Sequence, residues 1–230
     1  MKNVNFKISI SLLMLLLLPL SSHAQVAPSV AEITRYSGLH KAAHEGDLDK
    51  VVSMIAKGAS LEETDGSGRT PLHIAAFASN EDIVETLAKA GSNMNALEHQ
   101  AYDIITIAVV ANDIEVLEVA LQNGADPSNV TSPYDGTALI AAAHLGHHEV
   151  VKMLIDAGAP LDHINNLGWT ALIESVILGN GGKNHQLTAK HLVEAGADKT
   201  IADENGETPL QLARYRGYDE MVKILSGNLD

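Results

Sequence analysis

Apolar positions in this chain come in short bursts spaced for one helix face, each closed by a polar or glycine-bearing break. Leu72, Ala75 and Ala76 share such a face. Val51, Val52 and Ile55 make another within Leu48 to Lys57, and Ile105, Ala108 and Val109 keep the spacing further on. The breaks have a regular chemistry. Thr70 can accept a bond from a free backbone N–H at a helix start, and Pro71 is tolerated in the first turn, where its missing N–H has no partner to lose. Gly58, Gly91, Gly124, Gly158 and Gly196 close alternate bursts, where a residue just past a helix end takes the left-handed conformation. The pattern predicts paired short helices joined by tight turns such as Asp65-Gly66-Ser67-Gly68.

The pairs repeat. Thr70-Pro71-Leu72-His73-Ile74-Ala75-Ala76 is matched 67 residues on by Thr137-Ala138-Leu139-Ile140-Ala141-Ala142-Ala143, then after 33 by Thr170-Ala171-Leu172-Ile173, and after 38 by Thr208-Pro209-Leu210-Gln211-Leu212-Ala213. A degenerate copy, Asp103 to Ala108, lies between the first two, and a weak one, Ser37 to Ala43, precedes Thr70. The T-P-L-H-x-A signature and its period of about 33 residues resemble the ankyrin repeat. The resemblance covers residues 36 to 226 and implies an all-α solenoid of about six helix-turn-helix units with β-turn fingers, near 36–62, 63–96, 97–129, 130–163, 164–201 and 202–226. Residues 25–35, with Pro28, read as a linker, and 227–230 as a tail. Unit four carries a one-residue insertion near Pro133-Tyr134. Unit five carries five extra residues in Asn180 to Asn184, expected as a flexible exposed loop.

Residues 1–24 read as a cleaved export signal: Lys2 and Lys7, an apolar run from Ile8 to Leu20, and the small-x-small site Ser22-His23-Ala24. The expected mature protein starts near Gln25, in the periplasm or outside the cell, with no membrane insertion after cleavage. Losing Lys2 and Lys7 takes the net charge from −14 to −16, which argues against nucleic acid and anionic membrane surfaces as partners. There is no cysteine, so the core must come from stacked repeats rather than disulfides.

Catalysis finds no support in the sequence: no cysteine, no G-x-S-x-G serine, no phosphate-binding glycine loop, and no cofactor is expected. Of eleven histidines, His40 and His73 stand in the slot whose histidine, the resemblance implies, ties neighbouring turns together; His144, His147 and His148 are the nearest approach to a metal-ligand set, and Gly146 interrupts them. The resemblance places binding in a concave groove of finger tips and first-helix faces, for a protein or peptide of the cell envelope taken up by a monomer. Alternatives are a small-molecule or metal binder and an immunity-type protein neutralising an exported toxin. The candidate groove residues are Tyr36, Arg69, Phe77, Tyr102, Tyr134, His144, Leu145, Trp169, Glu174, Ile177, Leu178 and Tyr215. Two readings stand for the aromatics among them: exposed anchors for a partner, or covers for neighbouring turns. The centre is expected on units four and five, where Glu174 replaces the isoleucines of units two and three, His144 is its nearest candidate partner, and Trp169 stands at a turn tip. Such a patch suits a basic or aromatic side chain.

Overall fold

The computed structural model describes residues 25–227; the expected export signal and residues 228–230 of the expected tail lie outside them. Six antiparallel helix pairs follow one another: α2 (Gly38–Glu45) with α3 (Leu48–Ala56), α4 (Pro71–Phe77) with α5 (Glu81–Lys89), α6 (Ile104–Ala111) with α7 (Ile114–Gln122), α8 (Ala138–Leu145) with α9 (His148–Asp156), α10 (Ala171–Ile177) with α11 (Lys183–Glu194), and α12 (Pro209–Arg216) with α13 (Asp219–Ser226). First helices pack on first helices along the whole array, and second helices on second helices at every seam but that between units three and four, where α7 and α9 stand further apart. One continuous core of alanine, leucine, isoleucine and valine runs between the two rows. Among the described residues no helix is long and apolar enough to cross a membrane.

The local chemistry explains the starts and stops. Thr70, Thr137, Thr170 and Thr208 each accept the N–H of the third residue on. Asp103 does the same for Thr106, so α6 starts cleanly without a proline. The five glycines expected after second helices all have positive φ. Between pairs the chain turns back in a finger. Asp65, Glu98, Asn165 and Asp203 open four of these fingers, each side chain accepting the N–H groups two and four residues on. The finger with the inserted residue is instead a two-stranded hairpin, β1 (Val130–Thr131) against β2 (Gly136–Thr137), with Pro133 and Tyr134 at its tip.

Units are tied by side chains that donate to backbone carbonyls of the neighbouring unit. His40 reaches Arg69 O at 2.9 Å and His73 reaches Ala96 O at 3.0 Å, the role expected of that slot. At or near the start of second helices, Asn80 donates to Ala43 O, His147 to Val109 O, His185 to His144 O and Tyr218 to Gly179 O. His147 and His185 are thereby occupied with stacking.

Two regions differ from expectation. Within 25–35, α1 (Val30–Ile33) forms a helical turn closed by a capping box between Ser29 and Glu32, and Glu32 reaches Arg69 and Ser67 in the first finger. This stretch docks on the array rather than linking to it. The 180–184 insertion is exposed at Asn180, Lys183 and Asn184, as expected, but Gly181 packs under Tyr218: a Cβ there, where φ is +68°, would fall 2.5 Å from that ring. Asn180 accepts from Gly182 N and meets His185 Nδ1 at 3.1 Å.

Candidate functional site

The residue before each helix-capping position sits at a finger base, and its side chain turns inward more than the sequence pattern implies. Arg69 is only 2% exposed; it pairs with Asp65 at 2.8 Å and with Glu32, and its Nη1 reaches Val26 O. Tyr36, half-buried, donates its hydroxyl to Asp65 Oδ2 at 2.9 Å. Tyr102 is buried, and Trp169, at 8% exposed, belongs to the hydrophobic core. Tyr102 and Trp169 are buried rather than exposed as anchors, and Arg69 and Tyr36 are tied up in bonds within the first finger. The reason is steric: beside a finger packed against the next one, a large ring buries more apolar area inward than outward.

The first-helix positions behave otherwise. Leu145 and Tyr215 are exposed, the latter at 74%, and Val110 is exposed on α6. Phe77 and Leu178 are half-buried against the core, Ile177 is buried, and Tyr134 stands exposed at the hairpin tip. A discontinuous apolar line therefore follows the first helices from unit two to unit six.

At unit five this line contains a buried acid. α10 buries all seven of its residues, and one of them is Glu174, 4% exposed. Its Oε1 accepts Asn165 Nδ2 at 3.0 Å. Its Oε2 has no hydrogen-bond partner and lies 3.5 Å from His144 Nδ1 on α8. The expected pairing of His144 with Glu174 is present as proximity, with the imidazole 42% exposed above the carboxylate. Burial pushes Glu174 up to about 7, against the lowering effect of the Asn165 bond. Burial, with the nearby His185, holds His144 below the usual histidine range. Both shifts favour the uncharged forms, so the contact is not a full ion pair.

Asn165 is the functional residue that sequence reasoning missed. Its Oδ1 is used by the N–H groups of Leu167 and Trp169, which fixes the amide so that Nδ2 faces Glu174. The signal was present: the same finger position is Asp65 in unit two and Asp203 in unit six. An aspartate at 165 would set a second carboxylate against Glu174; asparagine supplies a donor instead. One unit on, Glu207 also has a buried Oε2 without a hydrogen-bond partner, while its Oε1 accepts Tyr215 OH at 3.4 Å. Among the described residues, no group of three or more histidines, cysteines or carboxylates is placed to hold a metal ion.

Family models for ankyrin repeats match residues 39–88, 105–203 and 205–229. The chain is 32% identical over 185 residues to the ankyrin repeat protein YahD of Escherichia coli (strain K12), covering 80% of this chain and 92% of that one. A solved ankyrin repeat domain from Acinetobacter baumannii AYE superposes with a TM-score of 0.79 at 40% identity, covering 82% of this chain and 96% of that one. A third match, with a TM-score of 0.66 and 27% identity over 84% of this chain and 98% of that one, is to a chain of the Bdellovibrio bacteriovorus predatory endopeptidase Bd0816 in complex with immunity protein Bd3460.

Proposed function

The chain belongs to the ankyrin-repeat family, and from that premise we propose that it is a non-catalytic module of the bacterial cell envelope that takes a protein partner on the face formed by its fingers and first helices. One observation carries the reading. Val110, Leu145 and Tyr215 stay exposed on first helices whose other apolar residues are almost all buried, in an array whose own core is complete without them. Exposed aromatic and aliphatic side chains aligned across several units are what a partner surface uses. The envelope address rests on reading Lys2 to Ala24 as an export signal.

A photo-crosslinking residue placed at Leu145 or at Tyr215 is expected to trap one protein from an envelope extract. The same residue at Glu149, exposed on a second helix, is expected to trap none. Equal yields at Glu149 would overturn the reading. A second, narrower reading is favoured by the match to a structure containing an immunity protein bound to an endopeptidase. On it the trapped protein is an exported peptidase, and adding the purified chain suppresses its activity.

A further inference from the structure

A carboxylate buried to the extent of Glu174 is costly unless its oxygens are satisfied. One is satisfied by Asn165. The other is not, and the residue nearest to it, His144, is half-exposed on the same face as Leu145. The unmet acceptor therefore sits directly under a side chain that solvent reaches on its outer side. Apolar surface for a long side-chain stem is at hand in Leu145 and Leu178. Unit six adds Glu207, with its own unused buried oxygen, beside exposed Tyr215. The chain as a whole carries −14, so a basic segment is drawn to it.

We propose that the groove face at units four to six holds a subsite for a basic side chain of the partner, an arginine before a lysine, with Glu174 Oε2 as acceptor and His144 as the group displaced. This rests on the reading of that face as the binding surface. Arginine is preferred because a guanidinium is more weakly hydrated than an ammonium and tolerates burial in a pair. The charge-assisted bond it makes would replace an unsatisfied oxygen with a short strong contact. Occupation keeps Glu174 ionised, so binding releases a proton. The titratable groups at the site are His144 from α8, beside Glu174, and His185 from α11, beside His144. Protonation of His144 at lower pH adds a competing cation, and protonation of Glu174 removes the acceptor. Both weaken uptake as pH falls.

The test titrates L-argininamide into the purified protein labelled with carboxyl-¹³C glutamate, with citrulline amide as the neutral isostere. The Glu174 resonance is expected to move saturably with argininamide and not with citrulline amide. Affinity is expected to drop by roughly tenfold or more between pH 8 and pH 5.5, as the ionised fraction falls. Glu174→Gln, read on the Trp169 indole N–H, should lose binding to the same degree, and His144→Ala should gain about threefold or more at pH 8. If argininamide binds the wild type no better than Glu174→Gln, or no better than citrulline amide, the subsite is wrong. That outcome is separable from failure of the broader reading. Crosslinking at Leu145 with no argininamide site would leave the binding face standing; argininamide binding without crosslinks at Leu145 or Tyr215 would do the reverse.

Discussion

Two acid sites, one built around the buried Arg69 and one around the buried Glu174, lie near opposite ends of the array and have opposite chemistry. At the first finger, Glu32 and Asp65 close around Arg69. Glu32 is further held by the hydroxyl and N–H of Ser29, and Asp65 by two finger N–H groups and the Tyr36 hydroxyl. Ser29 first, with Ser67 and Arg69 behind it, brings Glu32 down to about 2; for Asp65 the same kind of bonding outweighs its burial. At unit five, Glu174 has one donor and a neutral imidazole, and burial wins. The first site is a closed circuit whose oxygens and guanidinium have partners within the chain. The second leaves an acceptor over. Satisfied charge in a repeat protein serves as architecture; unsatisfied charge on a partner-facing surface marks capacity.

The contrast can be broken at its strongest point by Arg69→Met. Removing the cation leaves two carboxylates facing each other, and a loss of about 3–5 kcal/mol is expected in urea unfolding at neutral pH. A loss under about 1 kcal/mol would mean the first finger is no more locked than a surface pair. Glu174→Gln should act in the other direction and with a pH signature. Its folded pKa, about 7, lies above the unfolded value. The stability linked to its protonated form is therefore fully present below pH 4.5 and is lost as pH rises through 7. The glutamine variant is expected to be more stable than the wild type above pH 7, by on the order of 3 kcal/mol, and indistinguishable from it near pH 4. His144 titrates in the opposite sense and lies 3.5 Å from Glu174, so the same pair of curves is measured in a His144→Ala background to isolate Glu174. The smallest effect is expected for Glu32→Gln. With its side chain 30% exposed, screening keeps the loss near 1 kcal/mol. That stability is present above pH 4.5 and lost as pH falls through 2, so the two unfolding curves should merge in strong acid.

The fold was legible because its signals are local. A threonine cap and a glycine past a helix end act within a few residues of themselves, and a histidine in a fixed slot reaches one finger on, always at the same offset; Thr70, Gly124 and His73 all do what their positions imply. The candidate site was legible only in part. Glu174 beside His144 follows from helix registry across adjacent units. Arg69, Tyr102 and Trp169 share one slot, but whether a finger-base side chain points out or in depends on the neighbouring finger, which the period alone does not encode. Arg69 is locked by Glu32, from a stretch with no repeat signal at all, so nothing in the pattern foretold it. The loop at 180–184 is exposed at Asn180, Lys183 and Asn184, as its residue types imply; the contact of Gly181 with the Tyr218 ring was not legible, because that ring lies in the next unit.

The bonds that join neighbouring units share a grammar. Asn80, His147, His185 and Tyr218 all donate to main-chain carbonyls across the seam. A carbonyl is supplied by every residue type, so these four bonds ask for no particular acceptor side chain. What two of them do ask for is room: the His185 and Tyr218 rings lie where a Cβ on Gly146 or Gly181 of the preceding unit would fall. The demand a unit makes on its neighbour there is for a missing side chain at the seam, away from the exposed first-helix positions, so a partner specificity centred on units four to six can change while the stack beneath it stays the same.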